Sequence, residues 1–151
     1  MDEHLALLDD AGDVEKALRH VERERVVALL ERLRLHLAEH VRREEDGVFA
    51  ALTDAGEFTD EIEDLTQEHR ELDEFLRTVD PDDPMFSERV RKMFAHLGEH
   101  IDREDLGIFP VSVVTLGAAG WDTVTTAHER SPSFLAQSVR RSSPGAARAR
   151  M

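Results

Sequence analysis

The chain has 151 residues, with 19 basic and 33 acidic side chains, a net charge of −14 and no cysteine. That length supports one domain with a real core, and without cysteine there are no disulfides, thiolate metal sites, iron–sulfur clusters or cysteine nucleophiles, so any metal site must use nitrogen and oxygen ligands. The acidity is concentrated in the body of the chain, because residues 131–151 hold four arginines and no acid; such a body repels phosphate backbones and anionic membranes and tolerates cations and small neutral ligands.

No apolar run is long enough to span a bilayer, and the acidic opening MDEHLALLDD lacks the basic start of a signal peptide. The expectation is a cytoplasmic protein with neither nucleic-acid nor membrane partners. The first element is a helix from about Asp2 to Val21, because His4, Leu7, Ala11, Val14, Leu18 and Val21 recur every three or four positions. A second helix follows the rhythm Val26, Leu30, Leu33, Leu37, Val41 and Val48, and the glycine and turn formers of LTDAGEFTD (52–60) end it. The third carries Ile62, Leu65, His69, Leu72, Leu76 and Val79 and is stopped by DPDDP (80–84). The fourth opens near Ser87, buries Val90, Met93, Leu97 and Ile101, and runs into IFPVSVVTLG with a bend at Pro110.

Short connections make consecutive helices antiparallel neighbours, so the predicted fold is all-α, an up-down-up-down four-helix bundle over residues 1–117. Residues 118–130 are expected to form a short C-terminal helix, packing Trp121 and Val124 across one end. Residues 131–151 read as a flexible, arginine-bearing tail from which Phe134 and Leu135 could dock.

Two of these helical seams have a histidine where a leucine belongs, His4 and His69, and a buried imidazole needs a hydrogen bond or a metal. The other two helices each carry His-x3-His-x3-Glu: His36, His40 and Glu44, then His96, His100 and Glu104. Four residues return a helix to within about 40° of its starting direction, so each set forms a strip beside the apolar face. The segment HLGEHIDREDLGIFP (96–110) matches HLAEHVRREEDGVFA (36–50) at eight of fifteen positions, and DEHLALL (2–8) matches QEHRELD (67–73). The chain is thus a tandem repeat of a two-helix unit. Related by a pseudo-two-fold axis, the units bring His4, His40, His69 and His100 together with Glu44 and Glu104, a donor set suited to two divalent first-row ions bridged by carboxylates. A single His-x3-Glu is commonly a surface polar contact; its duplication beside two seam histidines argues against that reading.

These motifs, His4 in DEHLAL, His40 and Glu44 in HVRREEDGVF, His69 in QEHREL, and His100 and Glu104 in HIDREDLGIFP, resemble the hemerythrin-like, or HHE cation-binding, family over roughly residues 1–117. The resemblance implies a four-helix bundle around a non-haem di-iron centre, two iron ions with zinc or manganese as substitutes, and a small ligand such as oxygen, peroxide or nitric oxide that is bound, sensed or turned over. An iron-responsive or iron-handling module without turnover is the alternative. The match departs from the oxygen carriers, which have His-x3-His on the third helix where this chain has His69-x3-Asp73, and His-x4-Asp on the fourth where it has His100-x3-Glu104. The centre is then more symmetric and more open, which suits peroxide chemistry, sensing or iron handling better than oxygen carriage. Ferritin-like bundles differ further, since no histidine here has Glu three positions earlier.

The remaining candidates are read by position. His36 and His96, one turn from His40 and His100, could be further ligands, supports for the ligands or partly exposed polar residues, with support the reading preferred. Glu3, Glu39, Glu68 and Glu99 each precede a histidine and face about 100° away, towards solvent or a neighbouring helix, as do Glu45 and Asp105. Asp73, one turn beyond His69, is a minor candidate for a ligand or for orienting an imidazole. His20 and His128 belong to the surface, and Phe49, Phe75, Phe109 and Leu72 to the core. His4 falls in a first helical turn, which frays, so either the true start lies upstream or this ligand is loosely held.

Overall fold

The computed structural model describes residues 2–131 and 133–135, and every regular element among them is helical. In chain order these are α1 (Asp2–Arg19), α2 (Arg23–Glu44), a π-helical turn (Glu45–Phe49), α3 (Ala50–Asp54), α4 (Thr59–Thr78), α5 (Phe86–Arg103), a second π-helical turn (Glu104–Ile108), α6 (Phe109–Thr115) and α7 (Ala118–Arg130). The long helices contact one another in a ring: α1 with α2, α2 with α4, α4 with α5, and α5 back to α1. No helix among the described residues is long and apolar enough to cross a membrane.

The first helix ends earlier than its apolar rhythm predicts. Val21 is 87% exposed and takes a left-handed backbone, φ 55°. The N–H groups of Val21 and Glu22 then bond back to the carbonyls of Leu18 and Ala17 at 3.2 and 3.1 Å, a closed helix end. Gly56, at φ 71°, does the same after α3, where Gly56 and Glu57 donate to Thr53 and Leu52. Glycine takes this conformation at no steric cost and valine does not.

The buried apolar residues form two clusters. One, built on Leu7, Leu33, Leu72, Val90 and Leu97, fills the space among α1, α2, α4 and α5; the other, built on Phe49, Leu52, Leu65, Ile108 and Val124, includes α3, α7 and the π-helical turns. Nothing in the apolar periodicity predicts those turns. In each, an N–H reaches five residues back, Ala50 to Glu45 and Phe109 to Glu104, where an α-helix reaches four. Pro110 sits in the first turn of α6.

Helix α7 packs on the first π-helical turn and α3. Gly47 lies at this contact, where a Cβ would stand in ordinary van der Waals contact with Ala127 Cβ at 3.6 Å and Val124 Cα at 3.7 Å. Val124 is buried as expected, while Trp121 stays 38% exposed. Phe134 does dock, and is buried. The remainder of the expected tail, Pro132 and residues 136–151, lies outside the described residues.

Replacing Val21 by glycine should relieve the left-handed strain at an exposed position and raise stability by about 1 kcal/mol, whereas Gly56→Val should lower it by a similar amount. Urea unfolding of the two variants checks the pair; equal effects of the same sign would contradict the backbone argument.

Candidate metal centre

Between the two apolar clusters lies a polar layer. His4, Glu44, His69, His100 and Glu104 are all buried, with Glu104 at 0% exposure, and His40 is half-buried. Their inward ligand atoms fall into two groups, His4, His40, Glu44 and Glu104, and Glu44, His69, His100 and Glu104, with all atoms of a group within 4.8 Å of one another. Both groups contain both glutamates. Glu44 faces the two groups with different oxygens: Oε2 lies 2.7 Å from His40 Nε2 and 3.3 Å from His4 Nε2, and Oε1 lies 3.2 Å from His69 Nε2. Glu104 Oε1 lies 2.9 Å from His100 Nε2.

Every inward Nε2 is fixed from behind. His4 Nδ1 bonds Asp105 at 2.8 Å, His40 Nδ1 bonds Glu3 at 3.1 Å, His69 Nδ1 bonds Glu45 at 3.3 Å and His100 Nδ1 bonds Glu68 at 2.6 Å. An ionised carboxylate only accepts, so Nδ1 carries the proton in each case and Nε2 is left with its lone pair turned inward. Arg43 pairs in turn with Glu3, and Arg103 with Glu68. Of these four partners, Glu3 and Glu68 act across helices as their positions allow, and Glu45 and Asp105 turn out to share that role. Each repeat places an acid directly before the seam histidine and directly after the glutamate, and that regularity was the available signal. His4 is held by Asp105 and is 2% exposed, so its place in the first turn of α1 does not leave it loose in this structure.

The π-helical turns bring the aromatic walls. On a regular helix Phe49 would stand about 140° round from Glu44; the extra residue of the turn brings it to the site face, where it stacks on His69 with ring centres 5.6 Å apart and planes 3° apart. Phe109 stacks on His4 in the same way, at 5.7 Å and 17°.

Two observations test whether a cation fits. His4 and His40 present Nε2 atoms 3.0 Å apart, and so do His69 and His100; two such lone pairs repel unless a proton or a cation lies between them. Nitrogens about 2.1 Å from one ion and at right angles are about 3.0 Å apart, whereas a tetrahedral ion would separate them to about 3.4 Å. Finally, Glu44 Oε1 and both Glu104 oxygens are buried without a hydrogen-bond partner among the described residues, a costly state for a carboxylate. The donor set therefore fits metal cations.

Left to themselves, these side chains balance charge with protons. Burial, followed by the neighbouring Glu44 carboxylate, pushes the Glu104 carboxyl up to about 7. Glu44 moves the opposite way: burial resists its ionisation, but the charge on His40 and surrounding hydrogen bonds hold it well below the usual carboxylate range. Burial also opposes protonation of His69, yet Glu44 and Glu45 overcome it and raise this imidazole to about 9. Glu44 raises His40 against burial in the same manner.

The other expected candidates lie outside the cluster. His36 donates from Nδ1 to Asp10 at 2.6 Å, and His96 is exposed, so neither supports a ligand. Asp73 pairs with Arg77 at 2.9 Å, and its side chain is 40% exposed, because position 73 on α4 turns towards solvent. His20 and His128 are exposed; His128 also borders a cavity of about 450 Å³ that reaches His4, His40 and Glu44 beneath Phe109 and Trp121.

Compared with known proteins, residues 1–112 match the family described as hemerythrin, the hemerythrin HHE cation binding domain. No curated protein and no solved structure matches.

The protonation pattern gives a signed prediction for protein stripped with a chelator. Glu104 is raised from 4.5 to about 7, so its contribution to stability falls as pH rises through that window. His69 is raised from 6.5 to about 9, so its contribution is complete below 6.5 and lost as pH approaches 9. The melting temperature of the stripped protein should therefore fall between these limits, and Glu104→Gln should flatten the lower part of the curve. A melting temperature that rises through the window would contradict the charge assignment.

Proposed function

The chain belongs to the hemerythrin HHE cation-binding family, and from that premise we propose that it holds two iron ions and binds, senses or turns over a small oxidant such as oxygen, peroxide or nitric oxide. In this reading α1, α2, α4 and α5 run up-down-up-down, which their closed ring of contacts and short connections support. His4 and His40 would hold one ion and His69 and His100 the other, with Glu44 and Glu104 available to both. The observation that carries the reading is the sharing of both glutamates by both ligand groups, since two cations a few Å apart need anions between them. Bound iron supplies Lewis-acid and redox chemistry at coordination positions that six protein side chains leave open.

The chain's own residues prepare that chemistry. Asp105, Glu3, Glu45 and Glu68 orient the four imidazoles. Phe49 and Phe109 cover His69 and His4 and keep bulk water from them. The cavity beneath Phe109 and Trp121, with Val48, Val113 and Val124 in its wall, offers a small neutral molecule an apolar approach. Zinc and manganese are possible substitutes; the 3.0 Å spacing of paired nitrogens favours six-coordinate iron or manganese over tetrahedral zinc.

A second reading is favoured by the unpartnered carboxylate oxygens. If the ions balance that buried charge, iron occupancy sets the stability of the bundle, and the protein serves as an iron-responsive module without turnover.

Protein purified from iron-replete cells should contain about two iron ions per chain and a near-ultraviolet charge-transfer band, both lost in His40→Ala and in Glu104→Ala. A zinc-only or metal-free preparation would overturn the assignment. Rapid peroxide consumption separates turnover from the second reading, which expects a large iron-dependent rise in melting temperature and no peroxide loss.

A further inference from the structure

The two repeats are alike at the centre and differ one turn away from it. In the first repeat Asp10 of α1 is buried, accepts a hydrogen bond from His36 Nδ1 at 2.6 Å and forms an ion pair with Arg32 Nη2 at 2.9 Å. Phe134 lies flat on the same imidazole, with ring centres 4.4 Å apart and planes at 8°. His36 is thus satisfied in its plane by a carboxylate and on its face by an aromatic ring.

The correspondence that pairs His4 with His69 and His40 with His100 also pairs His36 with His96, Arg32 with Lys92, and Asp10 with Phe75. The second repeat keeps the imidazole and the cation and has lost the carboxylate. Among the described residues, the side chains of His96 and Lys92 have no hydrogen bond, ion pair or ring contact, and both are exposed. They border an open groove of about 470 Å³ between α4 and α5, floored by Leu72, Phe75 and Met93. That volume lies in the range of small-molecule sites.

We infer that this groove binds a small organic acid carrying an aromatic ring on a short flexible link. The carboxylate takes the place of Asp10, between His96 and Lys92, and the ring takes the place of Phe134, on the face of His96 and against Phe75. The link is needed because the two directions, in the imidazole plane and normal to it, are perpendicular. The acids of the groove leave room for such an anion. Glu68 is engaged by His100 and Arg103, and Glu71 by Gln67; Glu99 lies along α5 on the far side of His96 from Lys92, so the carboxylate sits at the Lys92 end. The site is independent of which ion the centre holds, although it abuts His100.

The test is titration of 3-phenylpropionate into the full-length protein as purified, followed by calorimetry. One saturable site is expected, weakened about tenfold or more by Lys92→Glu and by His96→Ala, and lost in Phe75→Asp, which supplies the carboxylate from within as Asp10 does. Lys92 and His96 are exposed, so the first two variants should melt like the parent. Propionate, with the charge but no ring, and 3-phenylpropanol, with the ring but no charge, should each bind at least about tenfold more weakly. Absence of saturable binding overturns the inference, as does binding that survives both Lys92→Glu and His96→Ala, the pattern expected if the carboxylate coordinates a metal ion directly.

Discussion

Two glutamates, Glu44 and Glu104, lie side by side in a layer sealed above and below by apolar side chains. Two carboxylates cannot both stay ionised in so dry a place without positive charge close by. The layer offers two ways to supply it. Protons on Glu104 and on the imidazoles are one, visible in the raised pKa values of about 7 for Glu104 and about 9 for His69. Cations shared between the carboxylates are the other, and the four inward Nε2 lone pairs are arranged for them.

The surrounding architecture answers the same constraint. Carboxylates behind each Nδ1 fix the rings without adding charge at the centre itself. Two arginines, Arg43 and Arg103, balance the outer carboxylates Glu3 and Glu68. The π-helical turns then bring Phe49 and Phe109 onto the ring faces, closing the layer at the end where α2 and α5 would otherwise expose it. Beyond this layer the halves diverge: α7 rests on Gly47 while Gly107 has nothing within 4 Å, and Phe134 covers His36 while His96 stands open. The duplicated centre is therefore set in unequal surroundings, which gives its two sides different access to solvent and ligand.

The six inward residues were legible in the sequence because duplication turns a weak motif into a strong one: a lone His-x3-Glu has many explanations, but two copies aligned with seam histidines have few. The helices were legible from their period, and DPDDP from proline's fixed φ and missing donor. What stayed hidden depends on backbone details without a periodic trace. Val21 fits the apolar rhythm and still leaves the helix, because the bonds that close its end need a left-handed residue there. The π-helical turns insert a single residue, a change that composition does not record. His36 and His96 looked equivalent by spacing, and their difference rests on positions 10 and 75 of other helices, which only the folded packing brings beside them.

We propose that two cations share Glu44 and Glu104. Anomalous diffraction at the iron edge, from crystals of the protein as purified, tests it most directly. Two peaks about 3.5–4 Å apart are expected, one beside His4 and His40, the other beside His69 and His100, with both glutamates between them. A single peak, or peaks remote from Glu44 and Glu104, would contradict it.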